Sequence, residues 1–397
     1  MSSNVPSPAP PTLVVGHGSQ AAAVAVGSVF AINGLLVGAY AGVLSALRDR
    51  LGIDARTLSV LLLVVGVAAV CSMQVGGRLA DRWGARWITL GSLPVMVVGA
   101  VVIAISTSFP PVLLGGALIG LGNGACDVAM NAVGVEVEKA RPVPVMSRFH
   151  AFWSIGSFLG AGLILLTSRF AGDGGGAIVT PALLTAAALA LLATVVTARW
   201  VPVTAPVAHH VDGVRTRIPR VAWLLGAMAV CFGLMEGTAY DWSSIHVTDV
   251  AHVDPGAGSA GLVTVTVFMV AMRLLGDSAV ARFGHRVVVR GGSVTAALGY
   301  TVTAFATSLP LILLGWALVG LGVAMIAPQI YAAAGHLGGG RMLAVVVTFG
   351  YAAFLAGPAI LGSLVQAFGV QRAMLLPLVL AFALVVIARW MPGVTRT

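Results

Sequence analysis

Apolar segments dominate the chain, and each is long enough to cross a membrane as a helix. A bilayer core about 30 Å thick requires about 20 apolar residues in one helix. We predict a transmembrane helix in each of twelve segments: 20–46, 57–77, 88–106, 110–136, 148–168, 178–200, 221–247, 258–278, 288–306, 310–334, 342–367 and 371–391. The pattern therefore predicts an all-α membrane protein with twelve transmembrane helices.

The longest polar break divides these segments into two groups of six. It covers residues 201–220 and contains several prolines and arginines. We therefore expect an N-terminal six-helix bundle at 20–200, a cytoplasmic linker at 201–220 and a C-terminal bundle at 221–391. Residues 1–19, which begin with a run rich in Pro and Ser, are predicted to be a disordered cytoplasmic tail, and 392–397 a second short tail.

Composition supports this pattern and excludes most other classes of protein. Of the 397 residues, 58% are hydrophobic and 9% are charged, whereas soluble domains carry about 25% charged residues. The net charge of +9 is attributed to basic loops rather than to nucleic-acid binding, because no basic run lies beside stacking aromatic residues. The three cysteines lie in separate apolar segments, and we expect no metal site. Phosphate-loop and hydrolase motifs are absent, so we expect neither an enzyme nor a cofactor.

The basic residues predict how the chain is oriented. With the N-terminus in the cytoplasm, 17 of the 22 Lys and Arg residues fall on the cytoplasmic side, as the positive-inside rule requires. Arg48, Arg50 and Arg56 lie in the first external loop and run against the rule. The total still predicts that both termini are cytoplasmic. We expect a monomer in the inner membrane of a bacterium.

An internal repeat relates the two groups of six helices. A shift of 200 residues aligns 107–122 with 307–322, and 11 of these 16 positions are identical. The same shift aligns Arg86 with Arg286. Because six is an even number, the two halves have the same orientation in the membrane. The sequence therefore predicts a parallel repeat about an axis along the membrane normal.

Two groups of motifs resemble a known family. Residues 77–86, Gly-Arg-Leu-Ala-Asp-Arg-Trp-Gly-Ala-Arg, resemble the loop signature between helices 2 and 3 of the major facilitator superfamily. Residues 121–138, 148–156 and 236–243 are similar to the MosC-like branch of that superfamily. The resemblance covers nearly the whole chain and implies the twelve-helix fold and a transport role. It implies no particular solute.

Two carboxylates lie well inside predicted spans: Asp127 in the fourth and Glu236 in the seventh. A charged side chain near the bilayer centre costs about 2.5–3.5 kcal/mol on insertion scales. The 200-residue shift places Asp127 on Ala327 and Glu236 on Leu36, so the repeat itself requires neither acid. Each is therefore a candidate proton carrier. The alternative is a buried structural carboxyl group that stabilises contacts between helices.

Further polar side chains are candidates for substrate binding or for gating. Asn123, Asp127 and Asn131 recur every four residues and form a polar stripe along the fourth helix. The predicted substrate-binding residues are Asn33, Asn123, Asn131, Trp153, Ser157, Tyr240, Gln329, Tyr331 and Tyr351. The predicted gating residues are Gly77, Asp81, Arg82, Arg86, Glu136, Arg148, His150, Asp241, Asp277 and Arg286. Of these, we expect Arg82 and Arg86 to pair between the halves. For each candidate residue, a structural role in packing or topology is the alternative.

Together these features predict a secondary active transporter that moves a small polar organic solute by alternating access, coupled to protons. Asn, Gln, Tyr and Trp side chains suit a sugar-like or cyclitol-like solute, which would be the partner together with protons and the lipid bilayer. The fourth helix carries Asp127 where drug antiporters of the superfamily usually have Arg, which argues against multidrug export. Drug or metabolite efflux by proton antiport, uniport or sodium-coupled transport, and a non-transporting sensor on the same fold are the alternatives.

Overall fold

The structure, a computed structural model, describes residues 16–142, 145–170, 175–204 and 219–392. Almost all of these residues are helical, and no β-strand occurs among them. The helices are α1 Gln20–Leu51, α2 Ala55–Trp83, α3 Ala85–Ile105, α4 Phe109–Lys139, α5 Met146–Ser168, α6 Val179–Thr197, α7 Arg220–Ala251, α8 Ala260–Phe283, α9 His285–Phe305, α10 Leu309–Val323, α11 Ile326–Phe368, α12 Val370–Ala373 and α13 Leu375–Ile387. The predicted tails and linker fall largely outside the described ranges.

Local sequence explains where several helices begin. Ser19 precedes α1, and its hydroxyl accepts the N–H of Ala22 at 3.1 Å. Asp54 precedes α2 and accepts the N–H of Thr57 at 2.8 Å. Side-chain acceptors at these positions satisfy N–H groups that have no partner within the helix. The hydrogen bonds from Thr57 also hold the pKa of Asp54 below its usual value.

The helices have the length and surface of membrane spans. Eleven spans in the described part are long and apolar enough to cross a bilayer. Helix α9 supplies a further crossing: its 21 residues extend about 31 Å, although Arg286 and Arg290 make its first turns more polar. Large apolar side chains such as Leu192 and Phe305 are exposed on the outer surface, as expected for helices in lipid. The predicted twelve-helix membrane fold is confirmed.

The two halves repeat each other in their helix boundaries as well as in sequence. Helices α1 and α7 begin and end 200 residues apart, and so do α3 and α9. Gly84 and Gly284 precede α3 and α9 with φ values of 91° and 78°, which favour glycine. The halves meet mainly along three helix pairs: α1 with α7, α2 with α11 and α5 with α8. Two parallel six-helix bundles therefore face each other across one interface.

Arg86 and Arg286 occupy equivalent places in this repeat. Arg86 donates to the carbonyl oxygens of Ala198, at 3.0 Å, and Val201 at the end of the sixth span. Arg286 donates to the carbonyl oxygen of Met391 at 2.7 Å, at the end of the last span. Carbonyl groups at helix C-termini lack internal partners and attract cations. Each arginine anchors helices of its own half, which corrects our expectation that Arg86 pairs between the halves.

The tenth and eleventh predicted spans differ from the structure in one respect. Helix α10 ends at Val323, and a single helix, α11, then runs from Ile326 to Phe368. The break coincides with Pro328, which lies in the first turn of α11. Proline has no N–H to donate to the carbonyl group of Ala324, so the helix restarts here instead of continuing. Helical geometry is continuous along α11, but the chain reverses its direction within it. The Tyr331 hydroxyl lies 2.7 Å from a Cβ atom added at Gly350, whereas a straight helix would separate these two positions by about 28 Å. The predicted spans before and after residues 335–341 are therefore two separate crossings, Leu309–Ala334 and Val345–Phe368.

Helices α1 and α5 pack so closely that glycines form their contact. A Cβ atom added at Gly38 would lie 2.6 Å from the Cα atom of Ser157. A Cβ atom added at Gly160 would lie 2.6 Å from the backbone nitrogen of Ala39. Small residues allow two backbones to approach in this way, and close packing is a main source of stability between membrane helices. This contact fixes α1 and α5 as one unit of the N-terminal half.

The α1–α5 contact predicts a large effect of one added methyl group. Gly38→Ala should destabilise the protein by about 1–3 kcal/mol through overpacking, lowering its apparent melting temperature in detergent. Gly162→Ala is the matched control on α5, because nothing lies within 4 Å of its added Cβ atom. We expect thermal unfolding of the control to match the parent protein or to shift slightly upward. Equal melting temperatures for the two variants would contradict the packing described.

Candidate functional site

A cavity of about 320 Å³ lies between the two halves. Helices α1, α2, α4 and α5 line it from the N-terminal half, and α7 and α11 line it from the C-terminal half. Asp127 on α4 and Glu236 on α7 both face this space. The structure therefore brings together the two intramembrane carboxylates that the sequence singled out, one from each half.

A chain of amide and indole groups forms one wall of the cavity. Asn33 is 1% exposed and donates from Nδ2 to Oδ1 of Asn123 at 3.0 Å. Its Oδ1 accepts the indole N–H of Trp153 at 2.7 Å. These bonds connect α1, α4 and α5. Because Asn33 is fully engaged, Asn33, Asn123 and Trp153 form one preorganised polar surface.

Asp127 connects the two halves at the cavity. The hydroxyl of Tyr351 on α11 donates to Oδ2 of Asp127 at 2.9 Å. Asn131, one turn further along α4, donates to Oδ1 at 3.2 Å and to the backbone carbonyl of Asp127 at 2.8 Å. Neither partner carries a charge. Asp127 is thus held by hydrogen bonds, with no cation beside it among the described residues.

Glu236 has a different environment, because Arg273 lies beside it. The Nη2 atom of Arg273 on α8 is 3.4 Å from Oε1 of Glu236. Arg273 also donates to Oγ of Ser154 on α5, so it links α7, α8 and α5 across the interface. Both side chains of the ion pair are mostly buried. Sequence reasoning missed Arg273, although an arginine in the middle of the span 258–278 was a visible signal.

Polar contacts close the interface at one end, which we call the Arg48 end. Arg48 near the end of α1 forms a bidentate ion pair with Asp249 near the end of α7, and its Nη1–Oδ2 distance is 2.8 Å. The hydroxyl of Ser45 donates to that of Thr248 at 2.8 Å. The opposite end, the Asp81 end, contains the loop between α2 and α3. Arg48 runs against the positive-inside rule, and its ion pair with Asp249 explains why an arginine occupies this position.

Five of the nine predicted substrate-binding residues line the cavity: Asn33, Asn123, Trp153, Tyr240 and Tyr351. The rings of Trp153 and Tyr240 are 5.7 Å apart across the interface. The other four lie outside its lining, and a role in substrate binding stays a prediction for them. Asn131 supports Asp127, and Ser157 is buried against α1. Gln329 bonds His285 at 2.5 Å, and Tyr331 lies beside Gly350.

The predicted gating residues have varied surroundings. Asp241 lines the cavity and does not take part in the polar contacts described at the Arg48 end. Glu136 is exposed and pairs with Lys139 at 2.9 Å, within α4. His150 packs edge-on against Phe30, with 5.3 Å between ring centroids.

The remaining gating residues lie near the ends of helices. Gly77 and Asp81 belong to the last turns of α2, where Gly77 faces Val128 of the same half. Arg82 and Arg148 are exposed. The side chain of Asp277 lies outside the described residues.

Two parallel six-helix halves around a cavity that contains intramembrane carboxylates define the class of polytopic membrane transporters. Comparison of sequences gives the family. The profile of the Major Facilitator Superfamily matches residues 26–277. The chain belongs to the major facilitator superfamily, as its motifs indicated.

Relatives and solved structures agree with this assignment. The chain is 32% identical over 352 residues to the uncharacterized transporter y4wD of Sinorhizobium fredii, covering 86% of this chain and 90% of that protein. It is 29% identical over 372 residues to the membrane protein MosC of Rhizobium meliloti, covering 90% and 87%. The fold is similar to that of the nucleoside transporter NupG, with a TM-score of 0.73, 14% identity, and coverage of 92% and 98%. The fucose:proton symporter FucP of E. coli gives a TM-score of 0.63 at 14% identity, with coverage of 94% and 98%.

The Glu236–Arg273 pair predicts a specific pattern of stability. Arg273→Gln leaves the Glu236 carboxylate buried without its cation and should destabilise the protein by about 3 kcal/mol. The double variant Arg273→Gln/Glu236→Gln removes both charges and should recover most of that loss. Thermal unfolding of the two single variants and the double variant in detergent measures the coupling. Additive effects of the two substitutions would show that the pair does not act as a unit.

Proposed function

We propose that the protein is a proton-coupled secondary transporter that moves a small polar organic solute through the cavity between its halves. The observation that carries this proposal is the meeting of Asp127 and Glu236 in one cavity, each contributed by a different half. Intramembrane carboxylates at such a position are typical of proton relays in transporters. The amide and indole surface of Asn33, Asn123 and Trp153 supplies the hydrogen-bonding groups that a polar solute requires.

Asp127 is the better proton carrier of the two. Its charged form is stabilised by neutral groups alone, Tyr351 and Asn131. Arg273 beside Glu236 favours the charged form of that carboxylate, so protonation of Glu236 requires the ion pair to separate. We propose that Asp127 binds the transported proton. Glu236 then responds through Arg273 and Ser154, which span the interface between the halves.

Alternating access requires that the two ends of the interface open in turn. The Arg48–Asp249 ion pair and the Ser45–Thr248 hydrogen bond close the Arg48 end, so these contacts must break for the solute to pass there. Tyr351 and Asp127 connect the halves near the cavity, where a change in protonation acts directly on an interface contact. With both termini in the cytoplasm, as the loop charges indicate, the Arg48 end is external.

Transport in proteoliposomes tests the proposed coupling. Vesicles that contain the protein and an internal pH indicator receive myo-inositol, glucose or glucosamine, with and without an imposed pH gradient. We expect solute-dependent proton movement, and Asp127→Asn should lower its initial rate by about tenfold or more because the proton site is lost. Glu236→Gln should also lower the rate.

Asp54→Asn is the matched control, because it neutralises a carboxylate outside the spans and keeps a good helix cap. Its rate should equal that of the parent protein. Solute movement that is independent of the pH gradient and unchanged by Asp127→Asn and Glu236→Gln would overturn the proposed coupling.

A further inference from the structure

The charges that line the cavity are all of one sign. Asp127, Glu236 and Asp241 contribute carboxylates to its wall, and no lysine, arginine or histidine is among the described residues that line it. A wall of this kind attracts a cation through its charge, whereas an uncharged polyol gains only hydrogen bonds from it. The negative charge of the cavity wall therefore indicates which charge the solute carries.

The protein compensates only one of these three carboxylates with a cation. Glu236 has Arg273 at 3.4 Å. Asp127 has the hydroxyl of Tyr351 and the amide of Asn131, which are both neutral. For Asp241, the described part of the chain offers neither a hydrogen bond nor an ion pair. A carboxylate in an enclosed site is stable when it is protonated or when a cation lies beside it. Asp127 has its hydrogen bonds, so Asp241 is the carboxylate of this lining for which the described residues provide no partner.

A tyrosine whose hydroxyl group has no partner also lines this space. Tyr40 on α1 lines the cavity and is 5% exposed. Its hydroxyl is buried and has no hydrogen-bond partner among the described residues. A buried polar group without a partner is costly. The Asp241 carboxylate can accept hydrogen bonds, and the Tyr40 hydroxyl can donate or accept one, so both residues can bind a molecule in the cavity. They lie on α1 and α7, the central helices of the two halves.

Aromatic side chains surround the same space. Trp153 and Tyr240 are in contact across the interface, and Tyr351 and Phe354 lie on α11. The faces of aromatic rings attract organic cations within about 6 Å, and desolvation strengthens the attraction. An acidic cavity with aromatic walls is thus complementary to a positively charged amine. At about 30 Å³ for each water-sized group, a cavity of about 320 Å³ holds on the order of ten non-hydrogen atoms.

We propose that the solute of this cavity is a small organic amine whose ammonium group binds Asp241, with the Tyr40 hydroxyl as a further partner and the rings of Trp153 and Tyr240 beside it. This inference rests on the proposed function only in that the solute occupies this cavity. It does not depend on proton coupling. Among polar organic solutes, the proposal selects small organic cations.

Binding to matched pairs of compounds tests this proposal. The purified full-length protein in detergent, without any gradient, is titrated with glucosamine and glucose, and with 2-phenylethylamine and 2-phenylethanol. Each pair differs in an ammonium group against a hydroxyl group and has the same number of non-hydrogen atoms. We expect the amine of at least one pair to bind at least about tenfold more tightly than its neutral partner, by calorimetry and by thermal stabilisation. Equal or tighter binding of both neutral partners, or no binding of either amine up to about 10 mM, would overturn the proposal.

Variants locate the effect at Asp241. Asp241→Asn preserves shape and removes the charge, so the preference for the amine should fall by about tenfold towards equality. Tyr40→Phe should weaken amine binding less and gives a second measurement where Asp241→Asn does not fold. Asp54→Asn is the control carboxylate and should keep the full preference. An unchanged preference in both Asp241→Asn and Tyr40→Phe would contradict the assignment. Because no gradient is applied, the outcome is separate from the transport experiment.

Discussion

The structure depends on one constraint, the cost of placing charged side chains inside a bundle of apolar helices. Helices satisfy their own backbone groups in a membrane, so the remaining cost lies in the side chains. The ion pair with Arg273 offsets this cost for Glu236, and hydrogen bonds from Tyr351 and Asn131 offset it for Asp127. The Tyr351–Asp127 hydrogen bond joins opposite halves, and so does a further hydrogen bond from Arg273 to Ser154. The stability of the interface is therefore tied to the protonation state of its ionisable groups, which is what the proposed proton coupling requires.

The repeat supplies a symmetric scaffold, and the chemistry breaks the symmetry. Tyr40 and Tyr240 are equivalent by the 200-residue shift, and both line the cavity. The acids have no such counterparts, because Ala41 and Ala327 stand at the positions equivalent to Asp241 and Asp127. Arg273 corresponds in the same way to a methionine. Each half thus contributes different functional groups to one site, and a change in either half acts on the other.

Much of this arrangement could be predicted from the sequence. Hydropathy gave the spans because the length and apolar character of a helix follow directly from the thickness of the bilayer. The repeat gave the parallel halves, and the rarity of intramembrane acids singled out Asp127 and Glu236. What hydropathy does not determine is the direction in which a side chain faces. Four residues turn a helix about 40° past one full turn, so Asn123 reaches the cavity whereas Asn131, about 80° away, supports Asp127.

Contacts between helices that are far apart in the chain could not be predicted from the sequence either. Arg48 and Asp249 are about 200 residues apart, and nothing in the local pattern of either helix indicates that they pair. The break between α10 and α11 depends on Pro328, which a hydropathy window counts as one more residue of an apolar run. Tertiary packing determines the first of these features, and the backbone chemistry of a single proline determines the second.

The most direct test of transport through the cavity is whether reagents reach the cavity from both sides of the membrane. A variant lacking the native Cys71, Cys126 and Cys231 carries Val37→Cys, at a position that lines the cavity. Membrane-impermeant thiol reagents are then applied separately to each side of oriented vesicles. The account predicts labelling from both sides, with a ratio that changes when solute is added, because the cavity opens to each side in turn. Labelling from one side only, or from neither, would contradict transport through this cavity.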